Sequence, residues 1–292
     1  MKEIIIRRNL SNAETQANLN TYLTLQPGLD ANVTFNIYKP INKYIAKYVA
    51  YFYEFNTNEI KDLSIPIIPD GCMDIIFILT KQGFQSYIAG TALTFSGLLA
   101  LKNRYVLGIR FHPGAFKVFF NINPCEILSQ QIPFRAYSLK SEEINKELYG
   151  SKTLIERIAI LERFLLSNIR VCDKYELIRY SIQRMVVSKG LVNINTISSE
   201  LNYSPRYINN LFNAFIGLSP KYLDEIIRLQ STVFLIFNSK TSLCEIANNS
   251  GFCDQSHMNR TIKRFFGVPS STLLNQGFFS AEYHCLKNIY IF

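Results

Sequence analysis

Arg206, Tyr207, Asn209, Asn210 and Asn213 fall on one side of a stretch whose other side is apolar, and Ser256, His257, Asn259, Arg260 and Lys263 do the same further along the chain. Forked, multi-donor side chains of this kind suit the flat edges of nucleobases. Arg reaches two acceptors on guanine, Asn matches the donor and acceptor of adenine, and each such fork discriminates by about 1–3 kcal/mol. Ser204 opens the first stretch, where its side chain and the backbone N–H groups of a helix start can hold an anion. A merely solvated helix face explains either set taken alone. Two such sets in tandem are harder to explain that way.

The elements that would carry these sets are written twice. Ile197 to Pro220 and Ile246 to Ser270 superpose with a near-constant offset, each reading as helix, tight turn, helix, Gly. In the first copy Asn195 is expected to cap a short helix with Ile197 and Leu201 inward, and Asn202 and Tyr203 make the turn. Ser204 then caps a second helix with Pro205 at its first position, where the missing N–H costs nothing. Ile208, Leu211, Phe212 and Phe215 recur at helical spacing, and Gly217 ends the helix. The second copy opens on Ser242 and Glu245 in capping-box spacing, turns at Gly251 and Phe252, restarts at Asp254, buries Met258, Ile262 and Phe265, and closes at Gly267. Between the copies, Lys221 to Phe237 reads as an apolar helix roughly 25 Å long. Such a rod could hold two helices near the spacing of successive major grooves, about 34 Å, with the duplex bending to make up a shortfall.

Asn202-Tyr203-Ser204, Leu211-Phe212, Gly217-Leu218-Ser219-Pro220, Arg228-Leu229, Glu245-Ile246-Ala247, Gly251-Phe252 and Phe265-Phe266-Gly267 together resemble the DNA-binding domain of AraC/XylS-type transcription regulators over about residues 178–275. The resemblance implies two helix-turn-helix units joined by a linker helix, sequence-specific promoter binding, and activation through RNA polymerase. It also implies that Arg206, Asn209, Asn210, His257 and Arg260 stand at base-contacting positions. Asn210 stands where the family often has Arg. Leu273 and Leu274 replace a frequent Tyr-Arg, and Cys253 occupies a turn position that is commonly polar or small.

Net charge is +9, yet the excess is not concentrated in the reader: residues 171–292 hold 12 Lys+Arg against 8 Asp+Glu, and residues 1–170 hold 19 against 14. Charge therefore permits DNA binding without demonstrating it, and part of the phosphate contact is expected from backbone N–H groups at helix starts. Cys72, Cys125, Cys172, Cys244, Cys253 and Cys285 form no CxxC pair and no metal-ligand spacing, which suits reduced thiols. The opening residues lack the apolar stretch of a signal peptide, and no apolar run is long enough to cross a membrane. The expectation is a cytoplasmic protein with no membrane partner, no metal and no cofactor.

Further upstream the pattern changes. Ile65–Pro69, Asp74–Leu79, Phe84–Ala89 and Tyr105–Phe111 are short β-rich runs broken by Pro and Gly. Helices are expected over Ile41–Phe55, after Pro113-Gly114-Ala115, from Thr153 to about Ile169 behind a Thr153/Glu156 capping box, and from Asp173 to about Lys189. The strings Ile68 to Phe77 and Gly108 to Ala115 resemble an N-terminal domain of uncharacterised role found fused to AraC-type readers, over about residues 35–125. The expected shape is a cupin-like small barrel.

Two readings of its polar residues stay open. Asp70, Asp74, Arg110 and His112 could bind the polar head of an effector, with Phe77, Tyr105 and Phe111 along its apolar part. Equally, Asp70-Gly71 makes a turn and Asp74 pairs with Arg110 between strands. Ile155, Ile160, Phe164 and Leu166 give the helix after Thr153 apolar residues on several sides, which leaves room for a homodimer or for burial within its own domain.

The chain thus reads as an α+β protein. Residues 1–172 would be a β-rich sensor or interaction domain with flanking helices, and residues 173–292 an all-α domain of two helix-turn-helix units. The expected function is regulation of transcription on double-stranded DNA, with no catalytic residues. The alternative is an alkyltransferase-type repair enzyme fused to the same reader, whose acceptor would be a Cys beside a His and basic residues. Cys125 lies between Pro124 and Glu126, with no such neighbour in sequence.

Overall fold

A computed structural model describes residues 35–57, 64–99, 104–170, 172–239, 241–267, 269–270 and 289–290. The described residues hold nine strands: β1 (Phe35–Tyr38), β2 (Val49–Asn56), β3 (Ser64–Ile67), β4 (Met73–Thr80), β5 (Gly83–Ala89), β6 (Ser96–Leu99), β7 (Tyr105–Phe111) and β8 (Gln131–Pro133) in the N-terminal half and, from the far end of the chain, β9 (Ile289–Tyr290). Seven of them form one sheet in the order β8-β5-β4-β7-β2-β1-β9, and β3 pairs with β6 in a second, two-stranded sheet. Every pairing is antiparallel except β1 with β9.

Alternation along the central strands divides the side chains between two faces. Met73, Ile75 and Phe77 of β4 and Leu107, Ile109 and Phe111 of β7 enter the main core. Ile76, Ile78 and Val106 join Tyr51, Tyr53 and Phe55 in a second apolar cluster on the opposite face. The helix expected over Ile41–Phe55 is a correction: only Ile45–Lys47 forms a 3-10 turn, and Val49–Asn56 is a strand between β1 and β7. Its run of Val, Tyr, Phe, Tyr and Phe fits a pleated surface better than a helix, and no capping residue interrupts it.

Nine helices follow in the described residues: α1 (Phe116–Phe119), α2 (Ser141–Gly150), α3 (Leu154–Asn168), α4 (Asp173–Val187), α5 (Ile194–Leu201), α6 (Pro205–Ile216), α7 (Pro220–Asn238), α8 (Leu243–Asn249) and α9 (Gln255–Phe266). Thr153 and Glu156 complete the capping box of α3. The side-chain cap of α5 is Asn193, whose Oδ1 accepts from Asn195 N at 2.8 Å, so the cap lies two residues before the expected Asn195.

One apolar cluster runs without a break from Tyr38 to Phe266 and takes in both halves of the chain. The halves meet where the two N-terminal motif strings come to the surface of the sheet. Gln230 of α7 donates to the Pro69 carbonyl at 2.9 Å, and Tyr222 of the same helix donates to the Leu93 carbonyl at 2.7 Å. A Cβ on Gly71 would lie 2.6 Å from Leu223 Cδ1, and one on Gly114 would lie 3.0 Å from Ile178 and 3.3 Å from Ile216. Both glycines have positive φ, so the backbone reaches the helices only because no side chain intervenes.

Candidate nucleic-acid interface

Each reading head is assembled by a cap, a turn and an apolar stripe. Ser204 Oγ accepts from Tyr207 N at 3.2 Å with Pro205 at the first position of α6, and Ile208, Leu211, Phe212, Phe215 and Ile216 are buried beneath it. The turn before it uses Asn202 in the left-handed region (φ 57°), and Gly217 (φ 79°) closes the helix. In the second head Asp254 Oδ1 accepts from His257 N at 2.6 Å, Met258, Ile262, Phe265 and Phe266 are buried, and Gly267 (φ 75°) closes α9. Ser242 caps α8 through Glu245 N, and only this half of the expected capping box forms.

The opposite faces are open. Ser204, Arg206, Asn210, Asn213, Ser256, Arg260 and Lys263 are exposed, while Tyr207, Asn209, His257 and Asn259 are half-buried. The half-buried four already have internal partners. Tyr207 stacks on Tyr203 with ring centroids 4.7 Å apart, and Asn209 Nδ2 donates to the Pro205 carbonyl at 2.9 Å. His257 Nδ1 accepts from Cys253 N at 3.4 Å. Asn259 Oδ1 accepts from Ser270 Oγ, so this amide is held by the protein.

Salt bridges pin the heads to their supports. Arg184 of α4 forks onto Glu200 of α5, with Nε and Nη2 at 2.8 and 2.6 Å, and Tyr180 OH adds a third bond to the same carboxylate. Together these hold the Glu200 carboxyl below its usual range, the Arg184 hydrogen bond contributing most. Arg264 of α9 pairs with Glu225 of α7 at 2.6 Å. Arg228 of α7 donates to the Gly251 carbonyl at 3.4 Å and lies over the Phe252 ring at 4.8 Å, tying the linker helix to the second turn. Sequence reasoning placed Arg228 only in a family string; its position one helical face from Glu225 is the signal that would have shown its role.

The N-terminal half touches both heads at their C-terminal ends. Cys125 Sγ, in the 3-10 turn Pro124–Ile127, donates to the Asn213 carbonyl at 3.4 Å, and Phe95 N donates to the Phe265 carbonyl at 2.8 Å. The Cys125 thiol thus meets a carbonyl and not a His, and the alkyltransferase alternative finds no support in it.

The seven candidate effector residues do not converge on one space. Arg110 pairs with Asp70 and, through Nη1 at 3.0 Å, with Asp74, its direct partner across β4 and β7. Asp70 Oδ1 also accepts from Cys72 N at 2.8 Å, which locks the turn. Phe77 and Phe111 point through the other face into the main core, and Tyr105 sits on that side, edge-on to Phe84 with its hydroxyl on Glu54. The period of two along a strand separates what the sequence placed close together. His112 is buried with Nδ1 unpartnered, and burial, with Lys39 and Arg179 nearby, pushes it down to about 4, so it is neutral near pH 7.

Among the described residues no His, Cys, Asp and Glu group could hold a metal, no helix is long and apolar enough to cross a membrane, and Cys125, Cys172, Cys244 and Cys253 are free thiols. Cys285, Leu273 and Leu274 lie outside the described residues. On α3, Ile155 and Leu166 are exposed whereas Ile158, Leu161, Phe164 and Leu165 are buried.

Comparison with known proteins agrees with this geometry. Residues 197–276 match the family described as Helix-turn-helix domain, and residues 38–133 match Domain of unknown function (DUF6597). The Msm operon regulatory protein of Streptococcus mutans is 32% identical over 78 residues, a match that spans 27% of this chain and 28% of that protein's length. Among solved structures, the DNA-binding domain of AdpA in complex with a target DNA is 16% identical, with 37% of this chain and 94% of that one covered and a TM-score of 0.31. ToxT from Vibrio cholerae is 13% identical, with 84% and 97% covered and a TM-score of 0.39. Likenesses at that level leave the reading to the chain's own residues and to the domain match. Residues 197–276 thus carry a helix-turn-helix domain similar to the AraC-type readers, with a DUF6597 domain in front of it at residues 38–133.

Proposed function

We propose that the chain activates transcription from the cytoplasm by laying α6 and α9 into two successive major grooves of one duplex, in contact with RNA polymerase. The observation that carries this reading is the division of each recognition helix: its polar face is open, and the N-terminal half closes only the C-terminal end. Arg206 and Asn210 of α6, with Arg260 and Lys263 of α9, have exposed side chains for base edges and phosphates. The α7 rod of 19 residues is roughly 28 Å long, so bending of the duplex would supply the remainder of the groove repeat. Residues 1–172 are proposed as the domain through which a small molecule or a second copy modulates the reader, since their contacts reach α4, α6, α7 and α9.

Selection of bound sequences from a random duplex pool tests the reading, followed by binding of Arg206→Ala and Arg260→Ala to the selected site. Each substitution is expected to lower discrimination between selected and random duplex by about 1–3 kcal/mol. Affinity for both should fall steeply with salt. Equal losses on the two duplexes would remove the base-reading role.

A further inference from the structure

β4 pairs with β5 along its whole length, whereas β8 covers only Tyr87–Ala89 and stops at Pro133. On that side the edge of β5 from Gly83 to Ser86 has no ladder among the described residues, and α2 lies beside it. The space left is a half-open cleft of about 320 Å³. That is the small end of the range for ligand sites.

Its walls are polar in an unusual way. Ser141 lines the cleft and is 1% exposed, and its buried Oγ has no hydrogen-bond partner. Asn145 lies one helical turn further on the same side of α2, and its buried Oδ1 is likewise unpartnered. Buried polar atoms of this kind are costly unless something bonds them. The start of α2 also lacks a side-chain cap, as do those of α1 and α4. Arg135 and Glu142 both line the cleft, and neither forms an ion pair among the described residues.

We infer that this cleft binds a small zwitterion of the free α-amino-acid class. A carboxylate is acceptor-only, and it suits Arg135, the Ser141 hydroxyl and the uncapped N–H groups of α2. An ammonium is donor-only, and it suits Asn145 Oδ1 and the Glu142 carboxylate. Phe84, on the face of β5 that α2 covers, supplies a ring for the side chain. A phosphate would meet the Glu142 charge, and a neutral sugar would leave both charges unanswered. The site lies away from the reading heads, and its binding readout needs no DNA, so its failure and the failure of the regulatory reading are separable.

The test is calorimetry and thermal unfolding of the full chain with each common free α-amino acid in turn. The same compounds as carboxamides and as N-acetyl derivatives, inorganic phosphate and a monosaccharide serve as comparators. One or a few amino acids should bind saturably and raise the unfolding temperature, and both the amide and the N-acetyl forms should bind about tenfold or more weakly. Ser141→Ala removes a hydroxyl that bonds nothing, so the unliganded variant should unfold at the wild-type temperature yet bind about tenfold more weakly, and Arg135→Ala should do the same. The proposal is overturned if no amino acid binds, if phosphate or sugar binds in its place, or if binding survives both substitutions. It is equally overturned if Ser141→Ala unliganded is markedly destabilised, because the hydroxyl would then have had a partner.

Discussion

Asp74 faces Arg110 across two strands, yet burial pushes its carboxyl up to about 8 from an ordinary 3.8. The reason is local. Arg110 is shared with Asp70, and Asp74 Oδ1 is enclosed without a partner, so the charged form loses more hydration than one hydrogen bond returns. Because the folded state holds this proton more tightly than the unfolded chain does, stability is fully present at low pH and falls as pH rises towards 8. Asp224, also raised by burial, to about 7, acts in the same direction, while His112, lowered to about 4, makes stability rise between about 4 and 6.5. The window between about 7 and 8 therefore isolates Asp74. Asp74→Asn should flatten the pH dependence of urea unfolding there, and an unchanged slope would show that this carboxyl is ionised throughout. The sequence brought Asp74, Arg110, Phe77 and Phe111 together by nearness in the chain. Strict alternation along β4 and β7 already separates them into two faces, and that separation was legible; which face also meets Asp70 was not, because it depends on the turn at Gly71.

The linker helix α7 holds more than a spacing. Its Ser219 cap and Pro220 start were legible because capping is a local property, as were Ser204, Asp254, Gly217 and Gly267 in the two heads. The strand Val49–Asn56 was not, since a run of aromatic residues with both faces buried carries no clear period and only its neighbours β1 and β7 decide it. What α7 grips was also invisible. Arg228 holds the turn of the second head by a hydrogen bond to Gly251 and by its position over Phe252, while Leu191, from the α4–α5 connection, packs on Gly251 from outside. Arg228→Met keeps the length of the stem and removes both interactions. The expected loss of stability is about 1 kcal/mol. Hydrogen exchange should rise in residues 248–254 and stay unchanged in 202–210, with specific DNA affinity falling. Uniform exchange across both heads would mean that Arg228 contributes to general packing and not to the placing of the second head.

At the scale of the whole molecule, the two N-terminal motif strings acquire a physical role, because Pro69-Asp70-Gly71 and His112-Pro113-Gly114 are among the places where the N-terminal half meets the reader. One continuous apolar cluster takes in residues of both halves. A protein arranged in this way should unfold as a unit, with destabilisation of either half felt in the other. Gly114 is the sharpest probe, with φ 77° and a Cβ position 3.0 Å from Ile178 of α4 and 3.3 Å from Ile216 of α6. Gly114→Ala should cost about 1–2 kcal/mol from the left-handed backbone alone, before any crowding. Gly150→Ala is the control, since nothing lies within 4 Å of its Cβ position, and it should be neutral or slightly stabilising. Hydrogen exchange under mild urea reads the coupling. In Gly114→Ala, protection should fall together in the buried strands β4 and β7 and in α6 and α7, because the shared core transmits the loss. If protection fell in the strands while α6 and α7 kept wild-type values, the two halves would be independent bodies, and modulation of the reader through this joint would have no physical route.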